Sequence, residues 1–305
     1  MPMPKRSRAA AALLGLLALA GCQSAQLSAD GVRPPTPSSI VMAPQQVTLG
    51  YPVARALSEL VVDYDTGRTL YEVDADGVRY PASLTKMMTL YLLFDAVDGG
   101  RVSLDDTMLV SENAARQSPS KLGLRAGSRV RVSDLAHGIA TKSANDAAMV
   151  VAENLGGSVD GFAKMMMAKA RSLKMTRSNF VNPNGLPDPR QMTTARDMAT
   201  LARALRANHP RFTSFYAQPA YAYEGKRYRS TNHLLGTVPG VDGMKTGYIR
   251  DSGFNLVASA QRGGRRVIVV VIGGATGRAR DAEVTRLIDT YLGPAEPQSI
   301  ASLTQ

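Results

Sequence analysis

Two kinds of hydrophobic pattern divide the chain. Five segments have the period-two alternation or the β-branched runs of strands: 57–63, 68–73, 241–248, 255–260 and 266–272. Apolar residues recur with a helical period at 84–98, 133–154, 158–172, 194–207 and 278–292. Strands from both ends that enclose a helical middle predict an α/β (α+β) fold. Its antiparallel sheet is built from both ends of the domain, and a mainly helical region is inserted between them.

The N-terminal residues follow neither pattern. Three basic side chains within the first eight residues precede an apolar run from Ala9 to Ala20. A run of this length is too short to span a bilayer and is typical of a signal peptide. The following Leu19-Ala20-Gly21-Cys22 resembles the lipobox of bacterial lipoproteins, in which the signal is cut before a cysteine that is then acylated. The alternative is an ordinary cleavage site beside an unrelated cysteine.

These patterns predict the organisation of the chain. We expect a lipoprotein signal peptide at 1–21, a flexible Ser/Pro/Gln-rich tether at 22–50, a folded domain at 51–293 and a tail at 294–305. Since Cys22 is the only cysteine, no intramolecular disulfide is possible. The expected location is the periplasmic face of a bacterial membrane, with the exported domain anchored through a lipid on Cys22.

The charge of the chain is strongly positive but dispersed. There are 36 Lys and Arg against 25 Asp and Glu, a net charge of +11, and three of the positive charges lie in the signal. No basic helix and no alternation of aromatic and basic residues is present, so a nucleic acid is not an expected partner. Anionic lipids and wall polymers fit this charge better.

Three short motifs carry the candidate chemistry: Ser83-Leu84-Thr85-Lys86, Ser143-Ala144-Asn145 and Lys245-Thr246-Gly247. Each motif is weak by itself, and the chain shows why: Ser118-Pro119-Ser120-Lys121 and Ser111-Glu112-Asn113 repeat the patterns of the first two. Context separates the pairs: the first motif opens a strongly periodic helix, whereas the sequence after the second Ser-x-x-Lys is a poor helix. The ordered set of three is a strong signal.

A Ser-x-x-Lys pair on a helix suits nucleophilic catalysis. A serine hydroxyl needs a base to remove its proton, and a residue at i+3 lies one turn away on the same face. Lysine acts as a base only when it is neutral. We therefore expect burial and the positive charge of Lys245 to lower the pKa of Lys86.

From about Tyr51 to Ile272 the chain resembles the low-molecular-mass penicillin-binding D-alanyl-D-alanine carboxypeptidases. The resemblance rests on four blocks that include the motifs: Pro81–Met87, Lys142–Ala148, Phe180–Leu186 and Val241–Tyr248. It implies a DD-peptidase/β-lactamase-like fold and a serine-type carboxypeptidase that acts on peptidoglycan pentapeptides. An acyl-enzyme forms on Ser83 while the terminal D-alanine is released. β-Lactam antibiotics such as penicillins acylate the same serine.

The resemblance also implies roles for the first two motifs. Ser83 is the nucleophile, and Lys86 is the general base that accepts its proton. Ser143 relays a proton to the leaving D-alanine amine, while Asn145 holds the peptide amide of the substrate. Ala144 stands where many family members have Gly, a position that supplies no chemistry.

The third motif is expected to bind the substrate. Lys245 and Thr246 hold its terminal carboxylate, and Gly247 completes the binding strand. The backbone N–H groups of Ser83 and Tyr248 are expected to form an oxyanion hole. Arg250 is a further candidate for the carboxylate.

No cofactor or metal is expected. The three His residues are far apart in the sequence, and Cys22 is the only cysteine. Many relatives continue into a β-rich domain and an amphipathic membrane helix. Here the residues after Gly247 suffice for the rest of the sheet and a last helix, so the lipid on Cys22 is expected to provide membrane attachment.

Three other functions stay open. A DD-endopeptidase that cuts crosslinks would have the same motifs. A class A β-lactamase needs a glutamate on a loop after Ser-x-Asn, but the loop from Phe180 to Arg190 has none and Glu153 lies on the preceding helix. A non-catalytic wall-binding lipoprotein is disfavoured, because every motif residue is present.

Overall fold

The computed structural model describes residues 56–294. The predicted signal peptide, the tether, Cys22 and the tail beyond its first residue lie outside the described residues. Their boundaries therefore remain predictions. Within 56–294, no helix combines the length and apolar composition that a bilayer crossing requires.

The central sheet is built from both ends of the domain, as predicted. Its five strands are β1 (Ser58–Asp63), β2 (Thr69–Val73), β7 (Val241–Ile249), β8 (Gly253–Arg262) and β9 (Arg265–Gly274). They lie in the order β2-β1-β9-β8-β7, and all neighbouring strands are antiparallel. The first strand pairs with the last, from Ser58 opposite Ile272 to Asp63 opposite Val267.

Strand β9 lies between two hydrophobic cores. Val267, Val269 and Val271 pack with the last helix, α8 (Gly277–Leu292), on one face of the sheet. The alternating residues Ile268, Val270 and Ile272 belong to the core shared with the helical region. Because both faces are covered, the strand is a nearly continuous run of Val and Ile.

The inserted region contains seven α-helices among the described residues: α1 (Lys86–Asp98), α2 (Glu112–Arg116), α3 (Val132–His137), α4 (Asn145–Gly156), α5 (Val159–Ser172), α6 (Ala195–Asn208) and α7 (Thr213–Ala217). Helices α1, α5 and α6 confirm the predicted segments to within about two residues. Helix α1 is buried on all sides from Lys86 to Phe94. It is the central helix of the larger core.

Two small two-stranded sheets were not predicted; the second is a hairpin, whereas α2 lies between the strands of the first. They pair β3 (Thr107–Leu109) with β4 (Arg129–Arg131) and β5 (Ala220–Tyr223) with β6 (Lys226–Arg229). Each strand has only three or four residues, most of them polar and solvent-facing. Such segments are too short for a hydrophobic period to emerge.

Candidate active site

The first motif lies at the junction of a 3₁₀ turn and the central helix. Ser83 is in the turn Ala82–Thr85, and α1 begins only at Lys86, so the expectation that Ser83 opens the α-helix is wrong by one turn. In a 3₁₀ turn residues i and i+3 are eclipsed. The Lys86 Nζ lies 2.9 Å from the Ser83 Oγ, within hydrogen-bond distance.

Lys86 is completely buried. Burial lowers the pKa of its amine well below the usual value, and the positive charge of Lys245 lowers it further, while Asp146 acts in the opposite direction. Burial and Lys245 are the two causes expected from the sequence. A large fraction of Lys86 can therefore be neutral far below pH 10.

The loop after α5 holds the Lys86 amine in place. The carbonyl oxygen of Asn184 accepts a hydrogen bond from Lys86 Nζ at 2.5 Å, and the Thr89 hydroxyl donates to the Pro183 carbonyl at 2.6 Å. Gly185 has a φ of +77°, and a Cβ there would overlap the backbone carbonyl of Ala82. Sequence reasoning matched this loop to the family but assigned it no role.

The second motif interrupts the helix predicted at 133–154, and that prediction is wrong in its continuity. Helix α3 passes into a π-helical turn, Gly138–Lys142, and Ser143 then takes a left-handed conformation with a φ of 60°. Asn145 starts α4, and its backbone and side-chain N–H groups donate to the carbonyls of Ser120 and Ser118. These bonds to a distant loop fix the break, which the local pattern does not reveal.

The second Ser-x-x-Lys therefore forms part of the wall of the site. Ser120 lines the same cleft as Ser83, but its hydroxyl donates to the Lys142 carbonyl at 2.9 Å. Lys121 is exposed. The second Ser-x-Asn has a structural role instead, since Ser111 and Asn113 donate hydrogen bonds to the carboxylate of Glu153 at 2.5 and 2.8 Å.

The third motif lies on β7, directly against the turn Ala82–Thr85 that contains Ser83. A Cβ at Gly247 would be only 3.0 Å from the Pro81 carbonyl and 3.2 Å from the Ser83 nitrogen, so the strand reaches the turn because this residue is glycine. Gly247 is followed by Tyr248, whose ring is exposed and packs on Phe254 at a centroid distance of 4.4 Å.

Lys245 and Thr246 are also buried. Burial, together with the positive charge of Arg280, lowers the pKa of Lys245 to about 7. The Thr246 hydroxyl donates to that of Thr231 at 2.7 Å. The site thus holds two buried amines whose ionisation depends on each other and on any anion that binds beside them.

Arg280 was missed by sequence reasoning. It lies on α8, is 4% exposed, and is held by the Asn255 carbonyl at 2.7 Å and by Asp281. Arg280 lines the cleft, whereas the candidate Arg250 is exposed and is not among the lining residues. No sequence signal distinguished Arg280 from the other polar residues of an amphipathic helix.

These residues surround one cleft of about 330 Å³, lined by Ser83, Ser120, Ser143, Thr231, His233, Thr246, Gly247, Tyr248, Phe254, Gly277 and Arg280. Lys86, Asn145 and Lys245 are buried, and each contacts or adjoins a cleft residue: Lys86 contacts Ser83, Asn145 contacts Ser120 and Lys245 precedes Thr246. Within residues 56–294, no group of three or more His, Cys, Asp or Glu side chains is arranged to hold a metal ion. The arrangement suits acyl transfer from an anionic substrate.

Comparison with known proteins agrees with this geometry. The chain is 37% identical over 238 residues to the D-alanyl-D-alanine carboxypeptidase DacF of Bacillus subtilis, and the match covers 77% of this chain and 61% of DacF. It therefore spans about three fifths of this curated relative.

Solved structures give the same result. Penicillin-binding protein 6B from Escherichia coli has a TM-score of 0.73 and 36% identity, with 78% of this chain and 77% of that chain covered. Penicillin-binding protein D2 from Listeria monocytogenes in its ampicillin-bound form has a TM-score of 0.70 and 33% identity, covering 77% and 97%. Residues 45–276 match the Peptidase S11 family, described as D-alanyl-D-alanine carboxypeptidase. With the cleft described above, this match shows that the chain belongs to the peptidase S11 family.

Proposed function

We propose that this protein is a serine-type D-Ala-D-Ala carboxypeptidase that removes the terminal D-alanine from peptidoglycan pentapeptides. The observation that carries the proposal is the completely buried Lys86 amine, 2.9 Å from the Ser83 hydroxyl. The name of the Bacillus relative supports the substrate class. The ampicillin-bound Listeria structure supports inhibition by β-lactams.

Acylation follows from the positions of these groups. Ser83 Oγ attacks the carbonyl carbon of the penultimate D-alanine, and its proton passes to neutral Lys86. The N–H groups of Ser83 and Tyr248 stabilise the developing oxyanion. Ser143 donates a proton to the amine of the leaving D-alanine as the C–N bond breaks, and it takes back the proton held by Lys86, which is neutral again. Asn145 holds the peptide amide of the substrate.

The free C-terminus is recognised by positive charge. Thr246 and Arg280 line the cleft, and Lys245 is buried next to Thr246 on β7. A bound carboxylate favours the protonated form of Lys245, and a charged Lys245 disfavours protonation of Lys86. Substrate binding in this way helps to keep the base neutral.

Hydrolysis of the acyl-enzyme completes the cycle. Lys86 takes a proton from the water that attacks the ester carbon and returns it to Ser83 Oγ as the C–Oγ bond breaks, which releases the shortened peptide. A β-lactamase reading is weaker, because Glu153 is bound by Ser111 and Asn113. Purified protein that turns over nitrocefin many times per second would reverse this ranking.

Two assays test the activity. A fluorescent penicillin should label the protein covalently, and the label should disappear in Ser83→Ala, which would also exclude a non-catalytic scaffold. Mass spectrometry of a muropeptide mixture should show the loss of one alanine from pentapeptides. Cleavage of crosslinked dimers without loss of alanine would instead favour the DD-endopeptidase, the alternative function.

We further propose export and anchoring at the periplasmic face of a bacterial membrane through a lipid on Cys22. The basic start, the short apolar run and the Leu-Ala-Gly-Cys sequence support this location. Mass spectrometry of protein from membranes should find an N-terminal peptide that starts at acylated Cys22. An unacylated peptide with the same start would refute the anchor.

A further inference from the structure

A second cavity, larger than the cleft, lies beside the β5–β6 hairpin. We call it the hairpin cavity; its volume is about 510 Å³, and its lining includes Arg129, Arg131, Asp134, His137 and the segment 221–224. Sites for small ligands commonly enclose about 300–1,000 Å³. None of the motif residues of the acyl-transfer reaction lines this cavity.

Aromatic rings line the hairpin cavity. Tyr221 and Tyr223 are two positions apart on β5 and so face the same side of the hairpin. The Tyr221 ring stacks on His137 with a centroid distance of 4.4 Å and an angle of 14°. Burial lowers the pKa of His137, so its imidazole is neutral at neutral pH. His137 also packs against Phe215 at a centroid distance of 4.3 Å, so it supports Tyr221 from behind. The flat rings of Tyr221 and Tyr223 suit the apolar faces of sugar rings.

The polar groups of the cavity are held in place and balance in charge. Asp134 accepts hydrogen bonds from the Tyr221 hydroxyl at 2.5 Å and from Arg131 Nε at 3.3 Å. Arg129 donates two hydrogen bonds to Thr107. The lining contains as many carboxylates, Asp134 and Glu224, as arginines, and with His137 neutral it has no net charge of its own. Glu224 pairs with Arg125, which lies outside the lining. It favours an uncharged polyhydroxyl ligand over a phosphate or a carboxylate.

The hairpin cavity is also close to the catalytic cleft. His137 ends α3, and the π-helical turn that follows leads directly to Ser143. Tyr221 pairs with Tyr228, which is three residues, or at most about 10 Å, from Thr231 in the cleft. An extended five-residue peptide spans at most about 17 Å. A sugar and the end of a peptide attached to it could therefore occupy both places.

We propose that the hairpin cavity binds the N-acetylhexosamine glycan to which stem peptides are attached. This assignment of the ligand rests on the proposed function, since it takes the wall polymer as the substrate. The cavity then distinguishes polymer-linked stem peptides from free ones, and it acts on binding and not on the chemical step.

Direct binding is tested with the full chain and chitotriose, a neutral trimer of N-acetylglucosamine. Calorimetry should show saturable binding, and hydrogen–deuterium exchange should show protection at 129–137 and 220–229. Tyr223→Ala and Tyr221→Ala should raise Kd at least 5-fold. Lys226→Ala, on the same hairpin but outside the cavity lining, should leave Kd unchanged. Tyr221→Ala could fail to fold, because Tyr221 also stacks on His137. Tyr223→Ala then provides the test, since Tyr223 is less buried.

A second measurement links binding to turnover. The KM for a disaccharide-linked pentapeptide should be at least 5-fold lower than that for the free pentapeptide, and Tyr223→Ala should remove this difference. The rate of acylation by penicillin should stay the same in these variants. No response to chitotriose up to millimolar concentration, or equal protection by inorganic phosphate, would overturn the glycan site. If neither pentapeptide releases D-alanine but chitotriose binds as described, the proposed function fails and the sugar site stands.

Discussion

The chain contains two Ser-x-x-Lys segments in opposite environments. In 83–86 the lysine is completely buried and its amine is 2.9 Å from the serine hydroxyl. In 118–121 the lysine is exposed, and the segment contributes backbone carbonyls that hold Asn145. The comparison indicates that desolvation, and not the spacing, keeps a lysine amine neutral, so that it can accept a proton. Pairs of equal residues in unequal surroundings can test this conclusion.

The largest effect is expected at the two serines. Ser83→Ala should reduce acylation by a fluorescent penicillin by at least about 10⁴-fold, because the Ser83 hydroxyl is the group hydrogen-bonded to the buried amine. Ser118→Ala should change the rate less than about 2-fold, since only its backbone carbonyl is used. Rapid-mixing labelling measures both rates. If Ser83→Ala is still labelled, and mass spectrometry locates the label on a residue other than 83, the nucleophile is a different residue.

Substitution of the two lysines should have effects on kcat/KM that differ by about 10³-fold. Lys86→Arg places a permanent charge where a neutral base is needed and should lower kcat/KM within the usual range for general-base catalysis. Lys121→Arg is the matched control and should be neutral in effect. In the unmodified protein kcat/KM should rise with pH through the lowered pKa of Lys86, because deprotonation creates the base. A profile that is flat from pH 5 to 10 would contradict this assignment.

Two glycines separate backbone strain from steric overlap. Gly185 and Gly225 both have positive φ, but a Cβ at Gly185 would meet the Ala82 carbonyl, while Gly225 has open space. Gly225→Ala should cost about 1–2 kcal/mol of unfolding free energy and leave acylation unchanged. Gly185→Ala should lower the acylation rate by about 10²-fold as well, since it displaces the loop that holds Lys86. Chemical denaturation and penicillin labelling provide the two readouts.

The smallest effect is expected at the two arginines. Arg280→Gln should raise KM for a D-Ala-D-Ala acid by about 10-fold, the scale of one lost charged hydrogen bond, but not KM for the corresponding amide. Arg250→Gln should change neither. KM should increase above about pH 7, where Lys245 loses the charge that binds the carboxylate. Loss of the Arg280 charge raises the pKa of Lys245, so this increase in KM should move to higher pH. An unchanged inflection would show that Arg280 does not act through Lys245.

The sequence predicted the parts of the fold that repeat a pattern over many residues. The sheet and helices α1, α5, α6 and α8 each contain runs long enough for a period to be recognised. The three motifs also identified the residues that the fold gathers round the cleft or buries behind it. Their chemical roles stay predictions that the variants above can test.

What the sequence did not predict depends on contacts between distant segments. The break at Ser143 is fixed by bonds from Asn145 to the 118–120 loop. The Asn184 carbonyl reaches Lys86 because Gly185 allows a close backbone approach. Arg280 reaches the cleft because α8 packs on β8, where the Asn255 carbonyl holds its guanidinium. None of these contacts produces a recognisable hydrophobic period or residue composition in the local sequence.

The pairing of β1 with β9 has a consequence for how the protein matures. The strand at the start of the domain finds its partner only after the final strand has been synthesised, and such distant pairing slows folding. The turn around Ser83 rests on β7, which also comes late in synthesis. Reactivity toward penicillin should therefore be acquired last, so covalent labelling reports a completed fold. A nascent chain released before residue 241 should remain unlabelled, however much of its helical region has formed.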